Sequence, residues 1–138
     1  MDLFNYQPRR SHEVHIGNKP LGGQQPLRLQ SMTTTLTTDT EASVAQCIAI
    51  IEAGADYVRL TTQGVREAEN LRPIREALHR RGYDTPLVAD VHFNPKVADV
   101  AAGIVEKVRI NPGNYVDPAR TFKELEYTDE EYAAELAR

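Results

Sequence analysis

Three short segments share one arrangement: Arg59-Leu60-Thr61, Asp90-Val91-His92 and Arg109-Ile110-Asn111. In each, two polar residues flank one apolar residue. Side chains alternate across an extended strand, so the flanking pair shares one face and the apolar residue takes the other. Side by side, the three segments gather two guanidiniums, a carboxylate, an imidazole, a hydroxyl and an amide on one face. A guanidinium offers a planar fork of donors that matches phosphate oxygens in pairs. An aspartate near a histidine can orient the ring and hold it charged, as an acid or as an anion ligand. The combination reads as a phosphate-binding site with capacity for proton transfer. Each residue alone has a plainer reading. An arginine at a strand end is usually a surface or ion-pair residue, and a buried histidine usually satisfies a structural hydrogen bond. The threefold recurrence of the pattern argues for a site.

Such a face needs parallel strands, and the chain supplies the pattern for them. Residues 1–11 read as an irregular leader. Glu13–Gly17 and Leu27–Met32 both alternate apolar with polar residues around the turn material Asn18–Gly23, which reads as a strand, a turn and a return strand. Thr38-Asp39-Thr40-Glu41 fits a capping box with Thr38 at the N-cap and Glu41 at N3. Val44, Cys47, Ile48 and Ile51 then follow at helical spacing, and Gly54 suits a helix stop. Residues 56–61 read as a strand. Residues 65–81 read as a helix by Leu71, Ile74 and Leu78, with Pro73 as a kink or a late start. Residues 86–92 are the next strand. Asn94-Pro95 offers an N-cap and a proline at N1 of a short helix to Gly103. Residues 106–111 are a further strand, Asn111–Asn114 a turn or a nest of amides for an anion. Thr128-Asp129-Glu130-Glu131 is a second capping box, opening a helix to Arg138. Strands alternating with helices predict an α/β fold with parallel pairing. Ligands of such folds bind at the C-terminal strand ends, where the polar pairs fall.

Length bounds the architecture. The chain has 138 residues, against about 250 for a complete (β/α)8 barrel. It therefore reads as the N-terminal half of a TIM barrel preceded by a β-hairpin, with the partial barrel over residues 12–138. With 41% hydrophobic and 26% charged residues it has the composition of a globular chain. The net charge of −4 gives no reason to expect nucleic acid, so an anion site must be built locally from placed arginines. No apolar run suggests a membrane span or a secretory signal. The single cysteine, Cys47, points to a reduced, cytoplasmic setting. Its place on the apolar stripe of a helix marks it as core, and Met32 is also read as packing. The carboxylates of Glu124, Glu126 and 129–131 read as a solvated helix face. His12, His15 and His79 show no ligand spacing, and no metal site is expected.

The segments Leu29–Thr33, Thr37–Asp39, Gly54–Arg59, Pro86–Phe93 and Val108–Asn114 resemble the 4-hydroxy-3-methylbut-2-enyl diphosphate synthase family of the non-mevalonate isoprenoid pathway. The similarity runs from about Ser11 to the end. Thr61–Gly64 and Leu125–Tyr132 look like the longer variant of plants and some bacteria. The resemblance implies a TIM-barrel substrate domain followed by a C-terminal domain with a [4Fe–4S] cluster. That domain, with its cluster ligands, is absent from this chain. It implies two-electron reductive ring opening and dehydroxylation of 2-C-methyl-D-erythritol 2,4-cyclodiphosphate, with ferredoxin or flavodoxin as donor and a homodimer as the assembly. By match to the family motifs, Arg59 and Arg109 would hold the diphosphate. His92, Asn111 and Asn114 would complete the polar pocket, and Asp90 would orient its neighbours or take part in proton delivery, which makes Asp90 and His92 the candidate catalytic pair. The isolated chain is expected to be inactive. Two other readings stand beside this one. One is another phosphate-binding barrel, such as a pterin-type synthase; the other is a non-enzymatic half-barrel that self-associates through its open strand edges.

Overall fold

The computed structural model describes residues 4–92 and 94–112. The order is β1 (Gln30–Met32), α1 (Thr40–Glu52), β2 (Tyr57–Thr62), α2 (Val65–Arg80), β3 (Leu87–Val91), α3 (Pro95–Ala102) and β4 (Lys107–Arg109). The four strands form one parallel sheet in sequential order. The expected second capping box, the last helix and Asn114 lie outside the described residues.

All three helices pack on one face of this sheet. Val44 and Cys47 from α1, Leu71, Ile74 and Leu78 from α2, and Val97 and Ala101 from α3 form one core with Val58, Leu60, Leu87, Ala89 and Val91. A doubly wound sheet reverses its strand order and carries helices on both faces. Sequential order with one covered face is the arrangement of a barrel segment.

The opposite face is closed at its N-terminal end by the segment before β1. Ile16 packs on Tyr57 and Val88, with Leu21 against them. The antiparallel element here is shorter than the two strands expected from the sequence. It is a single bridge, with Val14 and Leu21 exchanging N–H···O bonds of 2.7 and 2.8 Å. The expected return strand instead pairs parallel with β2, Gln30 opposite Tyr57. Polar ties explain the short turn. Arg28 Nε donates to the Pro20 carbonyl at 2.9 Å, and Lys19 Nζ donates to Asp56 Oδ1 at 3.3 Å. These ties fix residues 19–28 against the base of β2, so Leu27 points outward, almost fully exposed.

Two local details also depart from the sequence pattern. Helix α1 is capped by Asp39 rather than Thr38: the Asp39 carboxylate accepts from Ala42 N–H at 3.1 Å. A carboxylate at this position also complements the positive end of the helix dipole. Helix α2 runs through Pro73 without a break. Its buried stripe, Ala68, Leu71, Ile74, Ala77 and Leu78, continues on both sides of the proline, and this burial offsets the missing backbone hydrogen bond.

Candidate functional site

The register of the sheet decides which polar side chains meet. Arg59 stands opposite Met32 on β1 and Val88 on β3. Thr61 stands opposite Asp90, and Asp90 opposite Arg109. Facing partners in a parallel sheet share a side, so Met32, Arg59, Thr61, Asp90 and Arg109 lie on the face away from the helices. Leu60 and Val91, the apolar members of two segments, are buried beneath the helices as the alternation predicts. Ile110 is not: it is 39% exposed just beyond the end of the edge strand β4, where no further described strand covers it.

Asp90 is the centre of the cluster. It is 5% exposed and takes three partners. Arg109 Nη1 donates to Oδ1 at 2.9 Å. Arg59 Nε lies 3.7 Å from Oδ2, an ion pair beyond hydrogen-bond range, and His92 Nε2 lies 3.3 Å from the same oxygen. The two guanidiniums stay accessible, with side-chain exposures of 31% for Arg59 and 45% for Arg109. A buried carboxylate thus holds the inner edges of two arginines while much of each remains open to solvent. Two positive charges face one negative charge, which leaves an excess of positive charge for an anion. Each guanidinium carries five N–H donors, and Asp90 engages few of them.

The structure brings together Arg59, Asp90, His92 and Arg109. Asn111 is exposed, two residues past Arg109. Asn114 lies outside the described residues. Met32 corrects the sequence reading. It is not core packing but 40% exposed on the polar face, its sulfur 3.4 Å from Arg59 Nε and 3.9 Å from Thr61 Oγ1. Its position two residues after Gln30, in an alternating strand, was the available signal; its apolar type hid it. The open clefts at the starts of α1 and α2, lined by Thr38, Gly64, Arg66 and Asn70 among others, involve none of the Asp90 cluster.

A model of the GcpE TIM-barrel domain matches residues 11–134. The chain belongs to the GcpE TIM-barrel family. Three curated relatives, each called 4-hydroxy-3-methylbut-2-en-1-yl diphosphate synthase (flavodoxin), show the similarity. The protein of Phocaeicola vulgatus is 71% identical over 138 residues, all of this chain and 22% of the relative. That of Bacteroides fragilis is 70% identical over the same span, again 22% of its length. That of Chlorobaculum tepidum is 51% identical over 134 residues, 97% of this chain and 18% of the relative. The chain therefore spans about a fifth of the length of these relatives.

An iron–sulfur cluster does not fit the residues present. The one cysteine of the chain, Cys47, is fully buried in the helix-side core, and burial pushes its thiol up to about 12. Among the described residues no three His, Cys, Asp or Glu side chains are grouped to hold a metal ion. Among the same residues no helix is long and apolar enough to cross a membrane.

Proposed function

We propose that this chain is the diphosphate-holding portion of a 4-hydroxy-3-methylbut-2-en-1-yl diphosphate synthase, an oxidoreductase of isoprenoid biosynthesis in the cytoplasm. The substrate is 2-C-methyl-D-erythritol 2,4-cyclodiphosphate, opened and dehydroxylated with two electrons. One observation carries the reading: Asp90, buried, holds Arg59 and Arg109 side by side at the C-terminal strand ends. Two guanidiniums fixed this way match a diphosphate, whose two phosphoryl groups each accept a fork of donors. Asn111 and Asn114 would add neutral donors. His92, within 3.3 Å of Asp90, would present an imidazole whose orientation the carboxylate sets, able to hold or give a proton at the substrate. Flavodoxin is the proposed electron donor and a homodimer the proposed assembly. Ligands for a [4Fe–4S] cluster would have to come from chain outside these residues, so the chain alone binds without turnover.

The test is substrate affinity in the full-length enzyme. Arg59→Ala and Arg109→Ala should each weaken binding of the cyclodiphosphate by about 1.5–3 kcal/mol, the range for hydrogen bonds to charged groups. Unchanged affinity in both variants would remove the assignment.

A further inference from the structure

Strand β1 pairs with β2 only as far as Met32 and Arg59, yet the chain that leaves β1 stays bonded to β2. Thr33 N–H donates to the Arg59 carbonyl at 2.9 Å. Two residues on, continued parallel pairing would bring the Thr35 N–H to the Thr61 carbonyl. That N–H turns instead to Gln46 Oε1 on α1 at 3.2 Å, beside the Thr34 N–H at 2.8 Å. The Thr61 carbonyl takes the hydroxyl of Thr37, at 2.6 Å. Thr37 is buried, and its own carbonyl is held from α2, where Asn70 Nδ2 donates at 2.7 Å. The same nitrogen lies 3.1 Å from Thr40 Oγ1, which steadies the amide. On the other edge of β2 the Thr62 carbonyl accepts the His92 N–H at 3.1 Å. The last two carbonyls of β2 are thus held from both sides, one by a side chain and one by the backbone of β3's end.

We propose that Thr37, held by Asn70, is a positioning residue that fixes the end of β2, and with it Thr61 and His92, for diphosphate binding at the Asp90 cluster; this rests on the diphosphate-binding reading above. Thr61 stands opposite Asp90 and shares a face with Arg59 two residues earlier. A shift of the end of β2 therefore moves Thr61 relative to Asp90, and the His92 N–H follows the Thr62 carbonyl. The Thr37 hydroxyl supplies the donor that the departing backbone of β1 no longer offers, and a backbone carbonyl left without one is costly where water is excluded. Ser43 Oγ donates to the Leu36 carbonyl at 3.0 Å, so both neighbouring peptide units of the latch are tied to helices. Contacts from α1, α2 and β2 converge on Thr37, and such a supporting shell is what holds a binding constellation to within about half an ångström. Thr37 and Asn70 act without touching the substrate.

The experiment uses the full-length enzyme. Thr37→Val keeps the shape and removes the donor, Asn70→Asp removes the donor to the Thr37 carbonyl, and Thr37→Ser keeps the hydroxyl. Binding of 2-C-methyl-D-erythritol 2,4-cyclodiphosphate is measured by calorimetry, and amide exchange at His92 by mass spectrometry. Thr37→Val and Asn70→Asp should each bind about three- to tenfold more weakly, the scale of one hydrogen bond, and Thr37→Ser should bind within about twofold of the parent. Exchange at the His92 N–H should be about fivefold faster in the first two variants and unchanged in the third. Because both variants break one chain of bonds, the double variant should bind no more weakly than the worse single one. A lowered Tm with unchanged affinity in both variants overturns the inference, since that is the result of a merely structural latch. Should Thr37→Val not fold, Asn70→Asp decides by the same criteria. If the parent enzyme does not bind the cyclodiphosphate, the diphosphate-binding reading fails separately. The hold on the end of β2 is then decided by exchange alone: faster exchange at His92 with recovery in Thr37→Ser supports it, and unchanged exchange overturns it.

Discussion

Replacing Asp90 by asparagine isolates the charge at the centre of the cluster, because the side chain keeps its shape and one acceptor oxygen. Three contacts change. The 2.9 Å bond from Arg109 turns from charge-assisted to neutral, a loss of about 1 kcal/mol. The Arg59 pair at 3.7 Å and the His92 contact at 3.3 Å involve partly exposed partners, so water screens them. They contribute a few tenths to about 0.5 kcal/mol each. Against these losses stands the desolvation of a carboxylate that is 5% exposed, a cost that the substitution relieves. The open sides of both arginines moderate that cost, because each guanidinium remains hydrated while it pairs. We predict a net loss of about 1–2 kcal/mol for Asp90→Asn. For a chain of 138 residues this lowers Tm by roughly 3–10 °C. Thermal denaturation followed by circular dichroism, with Asp90→Ala as the harsher comparison, measures it. A Tm equal to or above the parent's would refute the reasoning. It would mean that burying the carboxylate costs more than its three partners return, and that Asp90 is not what holds the arginines.

Two further predictions concern the segment that closes the base of the sheet. The Asp56 carboxyl is held below its ordinary value, first by the Leu29 N–H that donates to it at 2.8 Å and then by Lys19 and Arg28. A folded-state value below the unfolded one stabilises the fold above the unfolded pKa, and this contribution is lost as pH falls through the folded value. Urea denaturation should therefore show stability falling as the pH drops below about 4, and Asp56→Asn should flatten that slope; an identical pH profile in the variant would remove Asp56 from the account. Gly22 has φ of +91°, and a Cβ there would lie 2.3 Å from the His12 carbonyl oxygen. Gly22→Ala should lower stability by about 2 kcal/mol or more through left-handed strain and backbone displacement, and unchanged urea midpoints would contradict the turn geometry.

The sequence alone determined the alternation of strands and helices, because apolar spacing of two or of three and four reports which face a local segment buries. It also placed Arg59, Asp90 and Arg109 on one face, since the polar–apolar–polar pattern is a property of each strand by itself. Caps shifted by a residue, as from Thr38 to Asp39, because neighbouring side chains compete for the same orphan N–H groups. What the tertiary structure decided was everything that depends on stagger between strands. Only the pairing of Thr61 with Asp90 and of Asp90 with Arg109 brings one carboxylate within reach of two arginines and His92. Only the pairing of Met32 with Arg59 sets a thioether inside a polar cluster. The packing of Ile16 on Tyr57 and Val88 is likewise a long-range match. Relative strand position is fixed by the summed packing of helices over the sheet, not by any single segment, so no local pattern in the chain could announce it.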